Sequence, residues 1–139
     1  MIRHVWSVAC RKSVIDKESN NISFYDVVEQ VNLTPPPKTE FPTVIPFEHE
    51  LVSLWSRGED DPEEGLYRLR WVGPDGTVQH ELTQDIDVTQ HQRMRTRARS
   101  NGFHIAGEGE HHWEVALQTN EGWNIVARVP IQVVLTIAE

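Results

Sequence analysis

Apolar and polar positions alternate with a period of two along much of the chain, most clearly over residues 107–138. Trp113, Val115, Leu117 and Thr119 alternate there with His112, Glu114, Ala116 and Gln118, the pattern of a strand with one face buried. Asn120-Glu121-Gly122 follows as a short turn, with glycine where a positive φ is needed. Residues 125–137 return as a second long strand rich in β-branched side chains,. The pair predicts a hairpin on which the earlier strands assemble.

Upstream, residues 2–10 predict a strand with His4, Trp6, Val8 and Cys10 on one face and Arg3, Val5, Ser7 and Ala9 on the other. Both faces are fairly apolar, which places it inside a sheet. Residues 11–21 read as a polar connection with Asp16 and Asn20-Asn21 as turn formers,. Residues 22–33 predict one strand around Phe24, Val27 and Val28, although Tyr25, Val28 and Glu29 also suit a helical turn. A strand over 48–57 carries Leu51, Val52, Leu54 and Trp55. Residues 66–73 and 77–86 form a hairpin across Gly73-Pro74-Asp75-Gly76, a strong turn signal,. Residues 91–99 alternate again: Arg93, Arg95, Arg97 and Arg99 point one way, Met94, Thr96 and Ala98 the other. Asn101-Gly102 is expected to turn the chain, and 103–106 to lead into the last hairpin.

Short strands at regular spacing predict one all-β domain over residues 1–139, a two-sheet sandwich of seven to nine mostly antiparallel strands,. Helix is expected below about 15%, against a usual share near one third. A chain of 139 residues buries enough surface to fold without a metal or a disulfide,. Two loops stand out. Residues 34–46 hold five of the eight prolines and read as a stiff crossover between sheets, since the PxxP spacing with basic residues of a recognition ligand is missing,. Residues 58–65 carry Glu59, Asp60, Asp61, Glu63 and Glu64 without the spaced ligands of a calcium loop, so a solvated loop tip is expected,.

Charge and cysteine content narrow the function classes. The net charge of −8 argues against a general nucleic-acid binder,. Cys10 is the one cysteine, so no intrachain disulfide forms, and a reducing compartment fits. With an Arg and a His among the apolar positions of residues 1–10, no secretory leader is expected, and the apolar runs are too short to predict a membrane span,. A cytoplasmic protein without membrane association is the expectation.

Candidate chemistry is sparse. His104, His111 and His112 cluster in sequence with Glu108 and Glu110, but neighbouring strand residues face opposite ways, so His111 and His112 cannot share an ion on a regular strand,. No metal site and no cofactor is expected. Cys10 sits in an apolar strand, the serines lack a nucleophile elbow, and Gly107-Glu108-Gly109 precedes a strand instead of a helix,. The chain is therefore read as not an enzyme, although a hydrolase site assembled from distant residues is a third hypothesis. Trp6, Trp55, Trp71 and Trp113 are assigned to core packing, and Trp123 beside a turn is the aromatic suspected of exposure,. The file of Arg93, Arg95, Arg97 and Arg99, about 7 Å apart in succession, is the least ordinary feature,. It could serve as an anion or partner contact, but internal pairing is favoured, with acids such as Glu114, Asp85 or Asp87 as candidates,.

Asp16, Asn21-Ile22-Ser23, Phe41-Pro42, Pro74-Asp75-Gly76, Gly109 before an alternating strand, and Val129-Pro130-Ile131-Gln132-Val133 follow one another over most of the chain. This order resembles a family of short, uncharacterised prokaryotic proteins with an immunoglobulin-like β-sandwich. The resemblance implies a fold and no activity. The expected role is a non-catalytic protein-interaction domain, binding a protein partner or a second copy through a sheet face or edge, with no nucleic acid. The alternative is a small-ligand or carbohydrate-binding module using exposed aromatics.

Overall fold

The computed structural model describes residues 1–62, 64–89 and 92–136. Nine strands occur among them: β1 (Arg3–Ile15), β2 (Ile22–Val27), β3 (Gln30–Leu33), β4 (Thr43–Ser56), β5 (Glu64–Val72), β6 (Val78–Asp87), β7 (Arg93–Ile105), β8 (Gly109–Thr119) and β9 (Gly122–Leu135). No helix occurs among the described residues, and hence none long and apolar enough to cross a membrane. The strands form two sheets, β2-β1-β4-β7 and β3-β9-β8-β5-β6. All pairings are antiparallel except β3 with β9, which run parallel. The two-sheet sandwich of nine mostly antiparallel strands is the architecture that the alternation predicts.

The alternating residues meet between the sheets. Trp55 and Phe103 from one sheet and Tyr67, Leu69, Trp71, Val115 and Ile131 from the other are all fully buried there. The last hairpin forms as expected, β8 and β9 turning at residues 120–121 with Gly122 at φ 111°. His111 and His112 point to opposite sides: His111 is fully buried and stacks on Trp71 at 5.3 Å, while His112 is only half-buried.

Several strand boundaries differ from the sequence reading. The stretch 22–33 is two strands in different sheets. Val28 N–H donates to the Ala9 carbonyl of one sheet, and Gln132 N–H of the other donates to the carbonyl of Glu29, so the chain changes sheets between these two residues. The polar stretch expected to be a connection continues β1 to Ile15, because it finds a partner in β2 (Lys12↔Tyr25, Val14↔Ser23). Asn101-Gly102 does not turn the chain; β7 runs through it, paired with β4 at Pro46↔Gly102. Glycine is needed there for close approach: a Cβ would stand 2.9 Å from Val44 Cγ1 and 3.2 Å from the Ile45 carbonyl oxygen. The proline-rich stretch carries the chain from β3 in one sheet to β4 in the other, the crossover anticipated. His91, Glu63 and Ile137, which the sequence reading placed in a strand, the acidic loop and the last strand, lie outside the described residues.

One irregularity re-aims the first strand. The register of β1 on β4 shifts between His4 and Trp6, so Val5 is the extra residue of a bulge. His4 thereby joins Ser7 and Ala9 on the inner face, where its ring meets Trp55 edge-on at 5.3 Å. Arg3 joins Trp6, Val8 and Cys10 on the outer face, the reverse of the expected assignment for both residues. Trp6 is therefore not a core residue. It is half-buried on the outside of the sheet against Phe24, with ring centroids 5.6 Å apart.

Candidate interaction site

β7 is an edge strand, whose one neighbour in the sheet is β4. Thr96 and Ala98 are buried on its inner face, where Thr96 Oγ1 accepts a hydrogen bond of 3.0 Å from Trp55 Nε1. Inward alternation of these small residues turns Arg93, Arg95, Arg97 and Arg99 outward. Beside them on β4 stand Ser56, Leu54, Val52 and Glu50 respectively. The next row on β1 is Arg3, Trp6, Val8 and Cys10.

That outer face is not bare. After Cys10, β1 leaves β4 and pairs with β2, and this two-stranded arm lies across the face. Ser13, Ile15, Ile22 and Phe24 turn toward the sheet, while Val14, Ser23 and Tyr25 face solvent. Cover by the arm and by aliphatic stems explains why Cys10 and Val52 are 0% exposed although they point away from the main core,. Burial pushes the Cys10 thiol above its ordinary pKa, aided by nearby Glu50. A thiol so placed is a packing group and not a nucleophile.

Three of the four arginines fasten the arm. Arg99 Nε donates to Glu50 Oε1 at 3.0 Å, and Ser13 Oγ donates to Glu50 Oε2 at 2.7 Å. Arg97 Nη1 donates to Ser13 Oγ at 3.4 Å. Arg95 Nη2 reaches the tip of the arm, donating to the Asn20 carbonyl at 2.6 Å and to Asn20 Oδ1 at 3.0 Å. Burial raises the Glu50 carboxyl, but the Ser13 hydroxyl and the Arg99 and Arg97 guanidinium groups outweigh it and hold the pKa below its ordinary value. The acids expected to pair with the file do not do so. Glu114 lies on the other sheet, 3.9 Å from Arg68. Asp87 Oδ1 is taken by the backbone N–H and hydroxyl of Thr89, and Asp85 sits opposite Leu66 on β6. The double change Arg95→Ala and Arg97→Ala should cost no more than about 1–2 kcal/mol, since the bonds lost are exposed or long. Urea unfolding checks this; a loss above about 4 kcal/mol would mean that the arm depends on the two side chains.

Two adjoining clefts open where the arm tip approaches the start of β7. One of about 480 Å³ is lined by Arg3, Asn20, Ser56, Arg57, Gln92 and Arg93. The other, of about 750 Å³, shares Asn20 and Arg93 and has Trp6, Ile15, Ile22 and Leu54 as its apolar part. Neither Arg3 nor Arg93 makes a side-chain hydrogen bond or ion pair among the described residues. Arg3, Ser56 and Asn20 were not singled out from sequence. The signal for Arg3 is masked by the bulge at Val5, and Asn20 reads only as a turn former.

The remaining candidates have structural surroundings. No three His, Cys, Asp or Glu side chains among the described residues are grouped to hold a metal ion. His80 and His104 stack face to face with centroids 4.9 Å apart. Trp55, Trp71 and Trp113 are buried. Trp123 is half-buried beneath the Arg68 guanidinium, 4.7 Å from its ring. Compared with known proteins, the chain matches no family model and no curated sequence.

Proposed function

We propose that the chain is a cytoplasmic, non-catalytic interaction domain with an immunoglobulin-like sandwich, which binds an extended acidic segment of a partner protein along β7. The observation that carries this reading is the edge position of a 13-residue strand bearing four outward arginines in a chain of net charge −8. A strand added to such an edge gains main-chain hydrogen bonds, and its alternate side chains come level with those of the edge strand. Acidic residues at every second position would meet the arginines as cross-strand pairs. The same geometry disfavours a second copy pairing through β7, because arginine would face arginine. The strand order β9-β8-β5-β6 against β1-β4-β7 supports the immunoglobulin-like reading, as it parallels the G-F-C-C′ and A-B-E arrangement of that architecture,.

The test is a calorimetric titration with a ten-residue peptide alternating glutamate and valine. Binding in the micromolar range that weakens with salt, and that disappears in Arg93→Glu with Arg97→Glu, is expected. Absence of binding at low salt, or binding indifferent to the double substitution, overturns the proposal. A short oligonucleotide with unphosphorylated ends is expected not to bind. The carbohydrate reading predicts instead a change in tryptophan fluorescence with neutral sugars.

A further inference from the structure

We infer that the row Arg3–Ser56–Arg93 is a binding site for a phosphate monoester whose apolar body rests on Trp6 and Leu54. The three residues are direct neighbours across β1, β4 and β7, with Ser56 paired to Arg3 on one side and Arg93 on the other. Adjacent strands lie about 4.8 Å apart, so the two arginines stand about 10 Å apart at their Cα atoms and both can reach a group held above Ser56. Among the described residues the lining of this cleft is three arginines, a serine, an asparagine and a glutamine. Arg3 and Arg93 bring positive charge to this lining in a strongly acidic protein,.

Arg57 is held by its own bonds, Nε to the Val88 carbonyl at 2.9 Å and Nη1 to the Gly58 carbonyl at 3.3 Å. Asn20 Oδ1 accepts from Arg95, which leaves its amide NH₂ as the free end,. Its backbone is fixed too, with Asn20 N–H bonded to the Asp16 carbonyl at 2.9 Å. The arm uses Arg95, Arg97 and Arg99. Arg93 is the member of the file that it leaves over, and Arg3 faces it across Ser56.

The ligand class follows from donor count and shape. Two guanidinium forks, a hydroxyl and an amide offer more donors than one carboxylate can accept. They suit the three oxygens and near-double charge of a phosphate monoester. The apolar cleft that continues from Arg93 past Leu54 and Trp6 gives the ester's carbon side a surface to cover. Trp6 and Leu54 are themselves register neighbours, one row along from Arg3 and Ser56. The site does not depend on a peptide at the β7 edge, since Arg3 and Ser56 lie on other strands.

The experiment is calorimetry on the full chain with inorganic phosphate, phenyl phosphate, benzoate and a phosphotyrosine peptide. Phenyl phosphate should bind about tenfold more tightly than inorganic phosphate, and benzoate should bind more weakly than either. Arg3→Gln and Arg93→Gln should each weaken phenyl phosphate at least about tenfold with the thermal midpoint unchanged, and Arg3→Lys should restore part of the affinity. Leu54→Ala should reduce the advantage of phenyl phosphate over inorganic phosphate. Binding of the phosphotyrosine peptide well above phenyl phosphate would assign the ester to a protein side chain, and equal or weaker binding to a free small molecule; either supports the site. Absence of phenyl phosphate binding up to about 10 mM, or binding untouched by both glutamine variants, overturns it. Arg3→Gln should leave the acidic peptide's affinity for β7 intact, so the two proposals fail separately.

Discussion

Replacing Trp71 by alanine should lower the thermal unfolding midpoint by about 10–20 °C, the largest effect expected of any single substitution in this chain. Trp71 is 1% exposed and sits where the aromatic side chains of both sheets converge. Its ring lies 5.1 Å from Phe103, 5.1 Å from Trp113 and 5.3 Å from His111. Its Nε1 donates to the His104 carbonyl at 2.8 Å, a bond from the five-stranded sheet to the four-stranded one. Alanine removes the aromatic contacts, leaves a cavity that β-strands cannot easily close, and strips the carbonyl of its partner. Loss of an aromatic side chain from a core costs about 3–5 kcal/mol. Trp71→Phe keeps most of the volume and loses the bond, so about 1–3 kcal/mol is expected. A midpoint within about 3 °C of the parent for the alanine variant would show that the sheets do not pack through this residue.

The second large effect is acid destabilisation that begins near pH 6.5. Burial holds His4, His49, His104 and His111 below the ordinary histidine pKa. For His111 the reason is visible in its bonds: Nε2 accepts from Ala106 N–H at 3.3 Å, so Nδ1 carries the proton and donates to the Gly109 carbonyl at 3.2 Å. A second proton on Nε2 would face that N–H. His49 stacks on Phe103 at 4.2 Å, donates from Nδ1 to the Phe47 carbonyl at 3.1 Å, and buries Nε2 without a partner. A histidine whose folded-state pKa is depressed binds its proton first in the unfolded chain. Stability is therefore complete above the unfolded value near 6.5 and falls as pH drops toward the folded value. The carboxyl pKa values of Glu50, Asp16, Asp75 and Asp87 are also held low, and they add a separate loss below about pH 4,. Thermal midpoints measured from pH 8 to 3 should fall in two stages. His49→Phe should shrink the first stage and leave the second. A midpoint flat between pH 7.5 and 5 would show that these rings stay accessible to protons.

Much of this architecture was legible in strand alternation. The period of two identified β5, β6, β8 and β9 and their hairpins, because a strand with one wet face must alternate wherever it lies. It also set the outward direction of Arg93, Arg95, Arg97 and Arg99, since Thr96 and Ala98 between them are buried. What alternation cannot express is a break in its own phase. One extra residue at Val5 moved His4 inward, Arg3 outward and Trp6 off the core. The polar stretch after Cys10 became strand through pairing with residues beyond a turn, and that partner carries no mark in the local pattern.

The sequence by itself determined an all-β chain, the inward faces of β5 and β8, and a file of four arginines on one side of a strand. Only the tertiary structure decided what those arginines meet. The arm places Ser13 and Asn20 against Arg97 and Arg95 across separations of 84 and 75 residues, and β1 places Arg3 in line with Arg93 through Ser56. Strand direction is a local property of backbone geometry, fixed within a few residues. Contacts between strands depend on register, bulges and the point at which a chain changes sheets, and those are settled by the packing of the whole sandwich.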